Sequence, residues 1–222
     1  MKRKIITTGD GSKTIHIEDW DEQYHSKHGA INEAYHVFID QGLSRINKSS
    51  VAILEIGFGT GLNALITAME AKKRGLKIHY TAVEAYPITK DELEQLNYTE
   101  QLKAPLFQEI FNKMHACPWE ENVLVSPGFT IHKQCKDFMD IADTDAYDLV
   151  YFDAFGARVQ PELWTETIFR KMFKALKVHG ILVTYAAKGS VRRAMQAVGF
   201  TVERLPGPPG KREMLRATVT ID

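Results

Sequence analysis

The chain has 222 residues, 44% hydrophobic and 25% charged, with 28 Lys plus Arg balanced by 28 Asp plus Glu. That length and composition suit a soluble globular protein with a substantial core, most simply one domain, and the neutral balance singles out no partner by charge. Two separated cysteines, Cys117 and Cys135, exclude a disulfide framework and a zinc pattern. The basic start Met1-Lys2-Arg3-Lys4 lacks a signal-peptide core and no run reaches membrane-spanning length, so a cytoplasmic protein with reduced thiols is expected.

Residues 4–7 and 13–17 read as a hairpin around Gly9-Asp10-Gly11. A helical pattern follows from Ile31 to Arg45, and residues 1–48 are expected to pack as a small extension on the main domain. Val51–Ile56 is the first core strand. The next helix buries Leu62, Leu65, Ile66 and Met69 and stops near Gly75. Ile78–Val83 is the second strand, with a helix opening at Pro87. Pro105, Pro118 and Pro127 break residues 97–128 into pieces with no clear period. Phe129–His132 and Tyr147–Asp153 are the third and fourth strands. A long amphipathic helix opens at Pro161 and buries Leu163, Trp164, Ile168, Met172 and Leu176. Gly180–Tyr185 is the fifth strand, and Ser190 is placed to cap a helix burying Val191, Ala194, Met195 and Val198. Phe200–Arg204 and Met214–Ile221 close the chain as a strand pair around Pro206-Gly207-Pro208-Pro209-Gly210.

Strands alternating with helices imply an α/β fold, a mostly parallel sheet with helices on both faces. The short last connection has no helix, so the final strand is antiparallel. This is the Rossmann-like, seven-stranded layout of class I S-adenosylmethionine-dependent methyltransferases. The turn after the first strand agrees with it. Gly57, Gly59 and Gly61 give G-x-G-x-G, and position 62 is leucine where the dinucleotide fingerprint needs glycine.

Ligands of such sheets lie beyond the carboxyl ends of the strands. Glu84 ends the second strand, where an acid meets ribose hydroxyls. Asp137 follows the third, where it can accept from an adenine amino group or cap a helix. Asp153 ends the fourth and is the candidate to hold an acceptor amine and take its proton. The following residues, Ala154-Phe155-Gly156, lack the Pro-Pro-aromatic signature of base-amino methyltransferases.

Between Lys188 and Arg216, seven basic residues face two acids. Arg192, Arg193, Lys211 and Arg212 are candidate phosphate contacts, with Arg158 as a further one. The loop holding Lys211 and Arg212 overhangs the strand ends by topology. His25, His28 and His36 have no acid or cysteine at ligand spacing, so no metal is expected. Trp164 is expected in the core, and Tyr24 and Tyr86 are the better candidates for base stacking.

The chain resembles the methyltransferase domain of the bifunctional bacterial enzyme that builds 5-methylaminomethyl-2-thiouridine at the tRNA wobble position. The matching segments are Tyr24-His25-Ser26 with Gly29, Glu33 and Val37-Phe38; Glu55 to Asn63; Glu84 to Thr89; and Phe152-Asp153-Ala154-Phe155. They continue through Pro161 to Thr165, Val191-Arg192-Arg193 with Gly199-Phe200-Thr201, and Lys211 to Leu215. The resemblance implies methylation of the aminomethyl nitrogen with S-adenosylmethionine as donor and tRNA as partner. It assigns Gly57, Gly59, Gly61 and Glu84 to the cofactor, with Glu55 and Asn63 from the same matching segment, and Asp153 to catalysis. Without the family's oxidase domain, the aminomethyl intermediate would come from a separate enzyme. The family usually carries Gly-Phe-Ala-Pro after the aspartate, where this chain has Ala154-Phe155-Gly156-Ala157. The alternatives are a small-amine or protein methyltransferase of the same fold, or a non-catalytic RNA-binding module.

Overall fold

The computed structural model describes residues 2–220. The hairpin is β1 (Arg3–Thr7) with β2 (Lys13–Ile17), and a two-residue β3 (Glu22–Gln23) pairs beside it. The expected single helix is instead α1 (Ala30–Ala34), a π-helical stretch Tyr35–Asp40 and a 3-10 turn Leu43–Arg45. Val37, Phe38 and Ile39 are all buried there. A regular α-helix would turn one of three consecutive apolar residues outward, and the wider π turn does not.

The next unit is β4 (Ser50–Ile56), α2 (Leu62–Arg74) and β5 (Lys77–Val83). α3 (Lys90–Glu94) starts later than Pro87, because Thr89 and Glu92 form a reciprocal capping box. The stretch obscured by prolines holds α4 (Tyr98–Gln101), α5 (Gln108–Ala116) and β6 (Asn122–Ser126). β7 (Phe129–Gln134) runs two residues past its expected end. Then come β8 (Tyr147–Phe152), α6 (Glu166–Ala175), β9 (Leu176–Thr184), α7 (Gly189–Ala197), β10 (Phe200–Pro206) and β11 (Glu213–Val219).

Two local expectations are corrected. The helix from Pro161 is a 3-10 turn, Pro161–Trp164, separated from α6 by an extended Thr165. Ser190 lies inside the first turn of α7, whose N-cap is Lys188. Ile221, the expected end of the last strand, lies outside the described residues.

The main sheet has the order β10-β11-β9-β8-β4-β5-β7-β6. β9, β8, β4, β5 and β7 run parallel, and β11 is antiparallel to both of its neighbours. The seven expected strands are thus present, with β6 added antiparallel at the edge. Strand alternation sorts the core. Val51 and Ile53 join Leu65, Ile66, Tyr80 and Tyr151 on one face, while Leu54 and Ile56 join Ile168, Met172 and Met195 on the other. Glu55 and Asp153 continue the first of these alternations.

Candidate active site

The turn between β4 and α2 is built by its glycines. Gly57, Gly59 and Gly61 have φ of 92°, 50° and 74°, a region that side chains rarely enter. The amides of Gly57 and Phe58 donate to the Val83 carbonyl at 3.0 and 3.2 Å, tying the turn to the end of β5. A Cβ on Gly57 would lie 3.1 Å from the Asp153 carbonyl oxygen, and one on Gly61 2.7 Å from His115 Nε2. Glu84 holds the same turn, accepting from Gly59 N at 2.9 Å and Tyr86 N at 2.8 Å. Each carboxylate oxygen keeps capacity for a second donor.

Gly57, Phe58, Gly59, Glu84 and Tyr86 line a cavity of about 470 Å³ that also takes in Asp137, Asp153, Tyr185 and Lys211, while Gly61 lies outside its lining. Asp137 accepts from Met139 N at 2.7 Å, so it caps a turn and borders the cavity at once. β1–β3 close one side. Tyr24 stands against Gly59 and edge-on to Phe155, and Arg3 donates to the Tyr86 carbonyl at 2.9 Å.

Beneath the turn, Asn63 Nδ2 donates to Glu55 Oε1 and to Asp153 Oδ2, both at 2.9 Å. Glu55 is fully buried, and burial pushes its carboxyl well above the usual range, with Asn63 opposing and the charge of Asp153 adding. Asn63 Oδ1 has no hydrogen-bond partner among the described residues. A carboxyl whose folded pKa is raised stabilises fully only below its unfolded pKa, near 4.5, and that contribution is lost as pH rises through the folded value. Glu55→Gln keeps the acceptor for Asn63 and removes the titration. Its melting temperature therefore falls less between pH 5 and the alkaline range than that of the parent; parallel melting curves would contradict this.

Asp153 is also raised well above the carboxylate range, first by burial and then by the negative charge of Glu33, against Asn63 and Lys211. Glu33 is buried and accepts from Ser26 N at 3.0 Å and from Lys211 Nζ at 2.5 Å. The Lys211 ammonium lies 3.8 Å from the centre of the Tyr185 ring, and the Tyr185 hydroxyl donates to the Ala154 carbonyl at 2.8 Å. Trp164 is in the core as expected, and its indole N–H braces the segment after Asp153 by donating to the Phe155 carbonyl at 2.8 Å. Burial lowers His25 to about 4, and its ring nitrogen Nδ1 pairs with the Thr14 hydroxyl at 2.9 Å, so it stays neutral at physiological pH.

The basic candidates divide. Lys211 turns into the cavity, while Arg158 is held by the carbonyls of Trp20 and Asp21 at 2.8 Å each and by Glu22 at 3.2 Å. Arg204 and Arg216 pair with Glu213 and Glu203. Lys188, Arg193 and Arg212 are exposed and Arg192 is half-buried; none forms an ion pair among the described residues. Among the cavity residues not singled out from sequence, Tyr185 and Glu33 carry the most chemistry. Tyr185 follows the end of β9, the position that Glu84 and Asp153 occupy on their strands, so the signal was available. Glu33 sits in an irregular helix and showed only as a matching residue.

Residues 131–220 match a family model described as S-adenosyl-L-methionine-dependent methyltransferase. The tRNA 5-methylaminomethyl-2-thiouridine biosynthesis bifunctional protein MnmC of Actinobacillus pleuropneumoniae serotype 5b is 32% identical over 224 residues, covering 89% of this chain and 32% of that protein. Its namesake in Cupriavidus metallidurans is 29% identical, covering 94% and 33%. The chain thus spans about a third of the length of these relatives. MNMC2 from Aquifex aeolicus, known from its crystal structure, superposes with a TM-score of 0.78 at 24% identity, covering 100% of this chain and 71% of that one. Spermidine synthase from Thermotoga maritima shares the fold with a TM-score of 0.56 at 12% identity, covering 100% and 73%.

Proposed function

We propose that the chain is an S-adenosyl-L-methionine-dependent methyltransferase whose acceptor is the aminomethyl nitrogen of a modified uridine at the tRNA wobble position. The observation that carries the chemistry is Asp153, a recessed carboxyl of raised pKa tied through Asn63 to the floor of the glycine turn. The tRNA comes from the names of the relatives, and an acceptor already bearing a primary amine is the product of an earlier, separate reaction. The setting for both is the cytoplasm.

The residues fit the cofactor. Gly57 and Gly59 border the cavity with no side chain in the way, and Asn63, which lines it, has a buried Oδ1 with no donor among the described residues. Gly57, Gly59 and Gly61 would let the backbone approach the cofactor, Glu84 would accept from ribose hydroxyls and Asp137 from the adenine amino group. When bound, S-adenosylmethionine supplies an electrophilic methyl group on a sulfonium. An amine attacks only when neutral, so the protein must align it and receive its proton. Asp153 is placed for the second task. Its raised pKa narrows the gap to the amine and makes the transfer easier than to an ordinary carboxylate.

Arg192, Arg193 and Arg212, with Lys188, are the surface cations for the tRNA backbone, while the exposed Arg158 fixes the Trp20–Glu22 segment at the rim and Lys211 acts from within the pocket. Reversing Lys188, Arg193 and Arg212 to Glu weakens tRNA binding by about tenfold or more. The slope of log affinity against log salt falls by about one for each phosphate no longer neutralised. Affinity for S-adenosylmethionine is unchanged. A triple variant with the parent's tRNA affinity and salt slope would contradict this role. Salt-independent turnover of a small amine, with none on tRNA, would move the acceptor to the small-amine class.

A further inference from the structure

We infer that Glu33, the face of Tyr185 and Asp153 bind the acceptor as a primary ammonium, and that the Lys211 ammonium holds that place until the acceptor arrives. The inference rests on the methyltransferase reading above and specifies its acceptor pocket.

Lys211 meets at one point every group that recognises R–NH3+. It donates to a buried carboxylate, Glu33; it lies against an aromatic face, 3.8 Å from the Tyr185 ring centre; and its charge is felt by the catalytic candidate Asp153. All four residues line the same cavity. Glu33 and Asp153 line the same cavity and their charges repel, so the pocket favours a monocation. Vacating it would leave Glu33 as an uncompensated buried charge, which is strongly unfavourable, whereas exchanging one primary ammonium for another is nearly balanced.

The exchange requires only a side-chain rotation. The turn that carries Lys211 is closed by its own hydrogen bonds, Gly207 N to Arg212 O at 3.1 Å and Lys211 N to Pro208 O at 2.9 Å. A lysine stem with four rotatable bonds can therefore leave while the turn stays closed. Once outside, it joins exposed Arg212, where a phosphate would receive it. Lys211 is then a positioning residue that competes with substrate, and Glu33 is a binding residue for the acceptor.

The test uses propylammonium chloride as probe and tetramethylammonium chloride, which has no N–H to donate, as control, at constant ionic strength. Affinity is read from the rise in melting temperature and from calorimetry. Lys211→Met keeps the stem and removes the competing charge, so it binds propylammonium about tenfold more tightly than the parent, with a smaller gain for the control. The double variant Lys211→Met/Glu33→Gln loses that gain. Tyr185→Leu on the Lys211→Met background weakens it without any change of charge. Equal propylammonium affinity in the parent and Lys211→Met would overturn the inference, as would full affinity in the double variant. No tRNA and no methyl donor is present, so the result is independent of the proposed function. Tight binding to Lys211→Met with no methylation of tRNA would keep the ammonium site and reject the wobble uridine.

Discussion

Replacing Asp153 by Asn lowers the rate of methyl transfer by about a hundredfold to ten-thousandfold, the range that a positioned proton acceptor contributes. Affinity for S-adenosylmethionine stays within a few-fold. The substitution is close to isosteric, and its side-chain carbonyl can still accept from Asn63 Nδ2, which now donates to Asp153 Oδ2 at 2.9 Å. The link from β8 to α2 and Glu55 is therefore preserved. What is lost is a group that takes a proton from the acceptor. Burial and Glu33 raise the pKa of Asp153, so its activity should show a rising limb with pH displaced above the ordinary carboxylate range. Stopped or steady-state methyl transfer, paired with calorimetry of cofactor binding, separates the two effects. Equal loss of turnover and of cofactor affinity would make Asp153 a prop for the turn.

Gly57→Ala weakens the cofactor complex by up to about 1–3 kcal/mol, because the turn relieves the strain of a side chain in this backbone region by moving away from the geometry that receives the cofactor. That is roughly 5-fold to 150-fold in affinity. The φ of 92° is one part of the reason, and a methyl group 3.1 Å from the Asp153 carbonyl oxygen is the other. Because that carbonyl belongs to the catalytic candidate, turnover falls as well. Gly75→Ala is the matched control. Gly75 also has a positive φ, 66°, but no atom lies within 4 Å of its added methyl group. It ends α2 away from the turn, so the change costs stability and leaves cofactor affinity alone. Loss of affinity in both variants would mean that backbone strain anywhere in this unit is transmitted to the site.

The central strands were legible because parallel strands covered on both faces read as continuous apolar runs. Each such run ended on a residue with chemistry, so Glu84 and Asp153 could be placed at the working edge before any coordinates. The glycine spacing was equally direct, since close approach and positive φ leave few alternatives to glycine. The irregular parts were not legible. Three consecutive buried residues at 37–39 fit no single helical period, and the cap at Thr89 competed with a proline two residues earlier. β6 was obscured by flanking prolines, although Val123-Leu124-Val125 before a Pro-Gly turn is a fair edge-strand signal.

The acceptor side of the site was the hardest to read. Glu33 and Lys211 stand 178 residues apart, and neither periodicity nor spacing carries information across that distance. A basic run is ordinarily a solvated surface, and most of this one is surface. Only the turn of Lys211 into the cavity, against Glu33 and Tyr185, separates it from Arg212 beside it.

The most direct test of the proposed acceptor is to incubate tRNA bearing 5-aminomethyl-2-thiouridine at the wobble position with this protein and methyl-labelled S-adenosylmethionine, then digest to nucleosides and identify the labelled one. Label is expected in 5-methylaminomethyl-2-thiouridine, and none with Asp153→Asn. Unlabelled tRNA from a protein that demonstrably binds S-adenosylmethionine, or label in any other nucleoside, would contradict the wobble-uridine assignment.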